Sequence, residues 1–148
     1  MPVLIRDPLW NTVTLDDAAV SIVDSAAFQR LRYIRQLGLA HLVYPGATHT
    51  RFDHAIGVYH LAQRALRQLT LRGALGEIAE HEQRIIPYAA LLHDIGHYPF
   101  SHALEELEQD RIPGHHEALV GRFLNDAQVS TELLAIDANA PAAVEAPS

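Results

Sequence analysis

The stretch LLHDIGHYPFSH, residues 91–102, decides how this sequence is interpreted. It places an adjacent histidine and aspartate, His93 and Asp94, directly after an apolar run, and two further histidines follow at His97 and His102. An ionised aspartate in apolar surroundings is unfavourable unless a cation or a hydrogen-bond donor neutralises it. Because imidazole and carboxylate groups both bind divalent metals, the pattern predicts that His93 and Asp94 are metal ligands.

The spacing of the neighbouring histidines supports this interpretation. Adjacent residues on a helix diverge by about 100°, so His93 and Asp94 can meet at one ion only from the edge of a helix. Pro99 bends the chain and lets His102 return toward the same space. His54 is the best-placed third ligand from a different helix. The alternative for the pair is a helix-end histidine hydrogen-bonded to an acid, and for His54 a partly buried histidine with its hydrogen bonds satisfied.

Composition limits the class of protein. The 148 residues are 49% hydrophobic, which is enough for one ordinary domain with a core. The net charge of −7 argues against a broad nucleic-acid-binding surface. The sequence has no cysteine and ten histidines, so protein ligands to a metal must be His, Asp or Glu. With no signal sequence or long apolar run, we expect a cytoplasmic protein without a membrane segment.

The hydrophobic pattern predicts an all-α helical array with a short N-terminal β-hairpin. The hairpin is predicted at residues 3–5 and 11–15, and two helices at residues 17–36, with Ser25 as the cap between them and Gly38 as the end. Further helices are predicted from about residue 51, over residues 84–96 with Pro87 in the first turn, and over residues 101–110 and 115–125. We expect one domain over residues 1–136 and a flexible tail over residues 137–148.

Several motifs in fixed order resemble those of the HD-domain deoxynucleoside triphosphate triphosphohydrolases, the dGTPase-like family. They are FQRLR at residues 28–32, QLG at 36–38, YPGATHTRFDH at 44–54, LLHDIGHYPFSH at 91–102 and HHE at 115–117. The similarity extends from Arg6 to about Phe123. It therefore covers most of the chain and implies an HD-domain fold.

The resemblance also implies roles for individual residues. The implied metal ligands are His54, His93 and Asp94. Three histidines would surround the phosphates, with His102 as the proton donor, assisted by His97 and His116. Gln36 and Leu37 would contact the deoxyribose, and Arg51 would bind a phosphate. His49 could hydrogen-bond to the site without binding the metal itself.

The implied activity is hydrolysis of a deoxynucleoside triphosphate to deoxynucleoside and inorganic triphosphate. The cofactor would be a divalent metal ion, one of Mn, Fe, Zn, Mg, Co or Ni, and the partner a nucleotide substrate, with a homo-oligomer expected for the full-length family member. The family's fourth ligand is an aspartate further along the sequence, and none of Asp110, Asp126 and Asp137 stands in a matching context. We therefore expect this chain to be an N-terminal portion of a longer member.

The sequence leaves two alternative functions open. The first is a phosphodiesterase or phosphomonoesterase that acts on nucleotides with the same metal centre. The second is a catalytically impaired HD module that binds metal or nucleotide without turnover.

Overall fold

The N-terminal strands form a two-stranded antiparallel hairpin. In the computed structural model, which describes residues 2–76, 78–104 and 116–145 apart from the side chains of residues 102, 103, 116–118 and 145, β1 (Val3–Asp7) pairs with β2 (Asn11–Leu15). The register pairs Val3 with Leu15 and Asp7 with Asn11. The Asp7 carboxylate accepts the backbone N–H groups of Leu9 and Trp10, which closes the turn. The predicted hairpin is confirmed.

The first helices are shorter than the sequence pattern predicts. Helix α1 (Asp17–Asp24) and helix α2 (Ala26–Gln29) meet at Ser25, whose hydroxyl accepts the backbone N–H of Phe28, as predicted. A single 3-10 turn, Arg30–Tyr33, then ends the helical segment. The prediction of a helix through residue 36 is wrong because Ile34 is extended and its carbonyl accepts the backbone N–H of Arg51.

Helix α3 (Arg51–Leu71) and helix α4 (Glu80–Leu92) pack against each other at the centre of the fold. Thr50 begins α3 with a capping box, in which its side chain and that of Asp53 each bind the other's backbone N–H. Helix α4 begins earlier than predicted because Glu82 accepts the backbone N–H of Ala79. Pro87 therefore lies inside the helix and not in its first turn.

Where the C-terminal part is described, it contains four short helices: α5 (Ser101–Leu104), α6 (His116–Leu124), α7 (Ala127–Ile136) and α8 (Ala140–Glu145). Helix α8 lies in the segment predicted to be a flexible tail, where it packs against α4, α6 and α7. Its Ala140 is fully buried, and Val144 packs against the core. These two small apolar side chains explain why a composition rich in alanine and proline still folds here. The division into one domain and a tail stays a prediction.

One continuous core connects the hairpin to the helices, and its fully buried large side chains include Val13, Leu15, Ile22, Phe28, Leu31, Ile56, Tyr59, Leu91, Leu92, Ile95 and Leu133. Within the described ranges, no helix is both long enough and apolar enough to cross a membrane. The all-α architecture with its N-terminal hairpin is as predicted. It places the N-terminus of α3 beside the C-terminus of α4.

Candidate metal centre

His93 and Asp94 lie where the chain leaves α4. Helix α4 ends at Leu92, and His93 is its C-cap residue. The following turn is held by hydrogen bonds from the N–H of Ile95 to the carbonyl of Leu92 and from the N–H of His97 to the carbonyl of Asp94. Leu92 and Ile95 are fully buried and anchor this turn in the core. The pair thus projects from a helix end, as two adjacent ligands of one ion require.

His54 reaches the same point from the first turn of α3. Its Nε2 atom is 3.3 Å from Nε2 of His93 and 3.7 Å from Oδ2 of Asp94. The Nε2 atom of His93 is 3.2 Å from Oδ1 of Asp94. Among the described residues, these three form the one group of His and Asp side chains whose ligand atoms all lie within 4.8 Å of one another.

The donor atoms fit a single divalent ion. Ligands about 2.1 Å from a tetrahedral ion lie roughly 3.4 Å from one another. The two imidazole nitrogens are 3.3 Å apart, and each lies 3.2 to 3.7 Å from one of the two Asp94 oxygens. Nδ1 of His93 is 2.8 Å from the carbonyl oxygen of Ala90 and must donate to it, so Nε2 of the neutral ring carries a lone pair. That lone pair points at His54 and Asp94, and a cation between the three groups satisfies all of them.

The electrostatic environment keeps these groups in the forms that bind metal. Burial alone would raise the pKa of Asp94, but a hydrogen bond from His97, electrostatic interactions with His93 and His97 and the charge of Arg51 together hold it well below its ordinary value. Burial lowers the pKa of His54, partly opposed by Asp94 and reinforced by His93 and Arg51. The carboxylate is therefore ionised and the imidazole neutral near pH 7.

Arg51 is buried behind the cluster and not displayed at the surface. Its Nη1 atom donates to Oδ2 of Asp94 at 2.8 Å, and its Nε atom is buried without a hydrogen-bond partner. The family resemblance implies a phosphate contact for Arg51, and its ion pair with Asp94 was not predicted from the sequence. A buried guanidinium with a spare donor can still bind an anion that enters beside the carboxylate.

The other predicted substrate residues lie on the loop before α3. The backbone N–H of Gln36 donates to the carbonyl of His49, and the buried Oε1 atom of Gln36 has no partner. The side chain of Leu37 is exposed. His49 is exposed and lines a cavity of about 380 Å³ together with His54 and Trp10. No side-chain hydrogen bond between His49 and the three ligands is present, so its supporting role stays a prediction.

Only one of the three predicted catalytic histidines can be placed with its side chain. His97 is 2% exposed, with Nε2 3.3 Å from Oδ1 of Asp94 and Nδ1 2.7 Å from Oγ of Ser101. It therefore contacts the carboxylate of a candidate metal ligand. The side chains of His102 and His116 lie outside the described residues, so their positions relative to the cluster stay predictions.

Arg30 supports the centre in a way that sequence reasoning missed. Its guanidinium donates to the carbonyl oxygens of Ile95 and His97 and stacks on the ring of Phe123 at 3.7 Å. Burial lowers the pKa of Arg30 to about 10, so it stays positive at neutral pH. The sequence signal was present, because Arg30 is part of the FQRLR motif, but nothing in the sequence alone pointed to carbonyl groups more than sixty residues away.

The downstream aspartates are engaged away from the cluster. Asp126 accepts the backbone N–H groups of Gln128 and Val129 at the start of α7. Asp137 lies 3.7 Å from Arg84 and caps the turn before α8. Asp110 lies outside the described residues. That Asp126 and Asp137 are poor substitutes for a fourth ligand stays a prediction.

Comparison with known proteins gives consistent results. Residues 51–141 match the family described as HD domain. The chain is 38% identical over 126 residues to the deoxynucleoside triphosphate triphosphohydrolase SAMHD1 homolog of Dictyostelium discoideum, covering 82% of this chain and 24% of that protein. It is 41% identical over 102 residues to the human deoxynucleoside triphosphate triphosphohydrolase SAMHD1, covering 69% of this chain and 16% of that protein.

A solved structure extends the likeness to the fold. The crystal structure of a hypothetical protein from Aquifex aeolicus is 39% identical and superposes with a TM-score of 0.74. The match covers 91% of this chain and 34% of that chain. This chain thus spans a quarter or less of the length of the two curated relatives and about a third of the solved one.

Proposed function

The chain belongs to the HD-domain family, and on that premise we propose that it carries the metal-binding and substrate-binding part of a hydrolase that converts a deoxynucleoside triphosphate to deoxynucleoside and inorganic triphosphate. The observation that carries the proposal is the convergence of His54, His93 and Asp94 on one point. The relatives named as triphosphohydrolases support the choice of substrate class.

His54, His93 and Asp94 would hold the divalent ion. Such an ion supplies positive charge that makes water more acidic and polarises a phosphoryl oxygen. The side chains of His54 and His93 are 34% and 38% exposed, so a substrate can reach the centre. The identity of the ion is left open by this ligand set, because imidazole and carboxylate suit several first-row metals.

In the proposed reaction the oxygen of water forms a bond to the α-phosphorus, and the bond between that phosphorus and the 5′ oxygen breaks. His102 would donate the proton that the departing 5′ oxygen needs, with His97 and His116 nearby. The spare Nε donor of Arg51 would bind a phosphate oxygen and stabilise the developing negative charge.

Gln36 and Leu37 would recognise the deoxyribose. A buried carbonyl oxygen without a partner, such as Oε1 of Gln36, is unfavourable until a donor arrives, and a sugar hydroxyl is such a donor. The exposed side chain of Leu37 offers an apolar contact to the sugar ring. This pairing would make the sugar hydroxyl, and not only the phosphates, a determinant of substrate selection.

The direct test incubates the protein with each of the four deoxynucleoside triphosphates and Mn²⁺ and separates the products by chromatography. We expect deoxynucleoside and inorganic triphosphate in equal amounts, and no product from His93→Ala. Release of orthophosphate would contradict the proposal and favour a phosphomonoesterase. Turnover that does not change in Gln36→Ala would favour a phosphodiesterase or phosphomonoesterase that does not contact the sugar in this way.

A second candidate is an HD module that binds metal or nucleotide without turnover. It is favoured by the engagement of Asp126 and Asp137 elsewhere, since three protein ligands bind an ion more weakly than four. Elemental analysis combined with the turnover assay separates the two: a stoichiometric ion that is lost in His54→Ala, without hydrolysis of any nucleotide, supports this candidate. The cytoplasmic location and the homo-oligomer stay predictions, and light scattering of the purified protein tests the oligomer.

A further inference from the structure

Behind the candidate metal ligands lies a buried hydrogen-bonded pair, His97 and Ser101, of which the serine has no role in the proposed chemistry. The side chains of Ser101 and His97 are 1% and 2% exposed. Oγ of Ser101 is 2.7 Å from Nδ1 of His97, and Nε2 of the same ring is 3.3 Å from Oδ1 of Asp94. The three side chains thus form a chain of contacts that ends on a metal ligand.

The direction of these hydrogen bonds follows from the chemistry of the groups. An ionised carboxylate only accepts, so the contact between His97 and Asp94 requires a proton on Nε2 of the imidazole. In the neutral ring the other nitrogen, Nδ1, then has a lone pair and must accept. The Ser101 hydroxyl, which can donate, is the partner that suits this tautomer.

We propose that Ser101 is a positioning residue of the metal centre: its hydroxyl holds His97 in the tautomer that donates to Asp94 and so fixes the orientation of the ligand carboxylate. The inference rests on the proposed metal site. Arg51 holds the second carboxylate oxygen at 2.8 Å. With both oxygens held by donors, the carboxylate cannot rotate freely about its last bond, and its remaining lone pairs keep their direction toward His54 and His93.

The backbone around Ser101 is built to place this hydroxyl. The residue before it, Phe100, has φ of 61°, a left-handed conformation that a non-glycine side chain adopts only when its surroundings impose it. The backbone N–H of Ser101 donates to the carbonyl of Tyr98. Arg30 fixes the other end of the loop through the carbonyl of His97. If the Ser101 side chain only filled space, its position would not require the left-handed backbone conformation of Phe100.

The first test is spectroscopic and uses the metal-free protein. Long-range ¹H–¹⁵N correlation spectra distinguish a protonated from a bare ring nitrogen. We expect His97 to have its proton on Nε2 in the wild type, to lose this single form in Ser101→Ala, and to regain it in Ser101→Thr. Ser25→Ala is the matched control, because Ser25 is another fully buried serine whose hydroxyl caps a helix away from the centre.

The second test measures Zn²⁺ affinity by competition with a chelator. Loss of a residue that supports a metal ligand typically weakens binding by roughly 10- to 100-fold. Because Ser101 acts through His97, we expect about a tenfold loss in Ser101→Ala, recovery in Ser101→Thr, and no change in Ser25→Ala.

The two tests separate failure of this inference from failure of the proposed function. A wild type that binds Zn²⁺, with Ser101→Ala unchanged in both affinity and tautomer, overturns the positioning role and leaves the metal site intact. A proton on Nδ1 in the wild type overturns it without any variant, even if Ser101→Ala does not fold. A wild type that binds no Zn²⁺ overturns the metal site, and the spectra alone then decide whether Ser101 controls the His97 ring.

Discussion

Two aspartates contact helix α3 at different points along its length, and their partners differ. Asp94 faces the N-terminus of α3, where its oxygens contact Arg51, His93, His97 and His54. Asp16 faces the middle of α3, where one oxygen accepts the hydroxyls of Tyr59 and Tyr88 and the other caps α1. One carboxylate is surrounded by bases and a cation, and the other by neutral donors that belong to the core.

Asp94 is buried and Asp16 is exposed, yet both accept hydrogen bonds, so the kind of partner, and not the number of partners, distinguishes the candidate functional carboxylate. The oxygens of Asp16 are occupied by donors that cannot leave without disrupting the packing, since Tyr59 is fully buried. The neighbours of Asp94 include two partly exposed imidazoles whose lone pairs are free to bind an ion. The partners of Asp16 are fixed, whereas the partners of Asp94 can bind an ion together with it.

The largest expected effect comes from Asp94→Asn, compared with Asp16→Asn. The first change leaves the buried Arg51 cation without its partner, and removing one partner of a buried ion pair destabilises by about 3–5 kcal/mol. We expect Asp94→Asn also to abolish bound metal, whereas Asp16→Asn should keep it. Urea unfolding in EDTA and elemental analysis measure the two effects. If Asp94→Asn still binds a stoichiometric metal ion, Asp94 is not required for metal binding, and the contrast with Asp16 is wrong.

A smaller effect is expected for Arg30→Met, which tests whether the loop after Asp94 is held from outside the cluster. The variant loses two charged hydrogen bonds to backbone carbonyls, for a net loss of about 2–3 kcal/mol after relief of the buried charge. Arg32→Met is the matched control, since Arg32 is exposed and stacks on Phe52. Unfolding free energies that fall equally in both variants would argue against a specific role for Arg30.

Alkaline pH should weaken the region around Asp16. Burial, the Asp16 charge and the hydrogen bond to Asp16 raise the pKa of both Tyr59 and Tyr88. Tyrosines in the unfolded chain lose their protons near pH 10 while the folded ones keep them, so stability falls as pH rises above about 10. The loss should be on the order of 2 kcal/mol by pH 11. Urea midpoints measured from pH 8 to 11 test this, and a flat profile would contradict it.

The smallest expected effect is that of Tyr88→Phe at neutral pH. The change removes one of the two phenol donors to Asp16 and should destabilise by about 1 kcal/mol. It should also make the decline at alkaline pH less steep, because one fewer raised pKa contributes. Zn²⁺ affinity is the internal control, and we expect it to remain at the wild-type value since Tyr88 does not touch the metal ligands.

The sequence predicted those features that depend on local pattern. The hairpin follows from β-prone residues around a turn, and the start of α3 follows from the capping residues Thr50 and Asp53. Segments decided by distant partners were not predicted. The early end of the second helix depends on pairing of Ile34 with Arg51, and α8 depends on a surface for Ala140 that other helices create.

The same division holds for the candidate site. The sequence predicted His54, His93 and Asp94 as one set, and the structure brings these three together. It predicted Arg51 and His97 as residues of the pocket but not their contacts with Asp94, because a motif records residue types and not hydrogen-bond partners. Ser101 was predicted only as the start of a helix, although its hydroxyl binds His97.

The 39-residue separation between His54 and His93 has a consequence for how the chain folds. Each helix can form locally and quickly, but the two imidazoles meet only after α3 and α4 have docked, which is a non-local event that requires loop closure. An ion bound by both rings would therefore report the docking of α3 and α4 and not the formation of either helix. In a refolding experiment, the rate at which metal coordination appears would measure the docking of the two helices. Far-UV circular dichroism would measure helix formation separately.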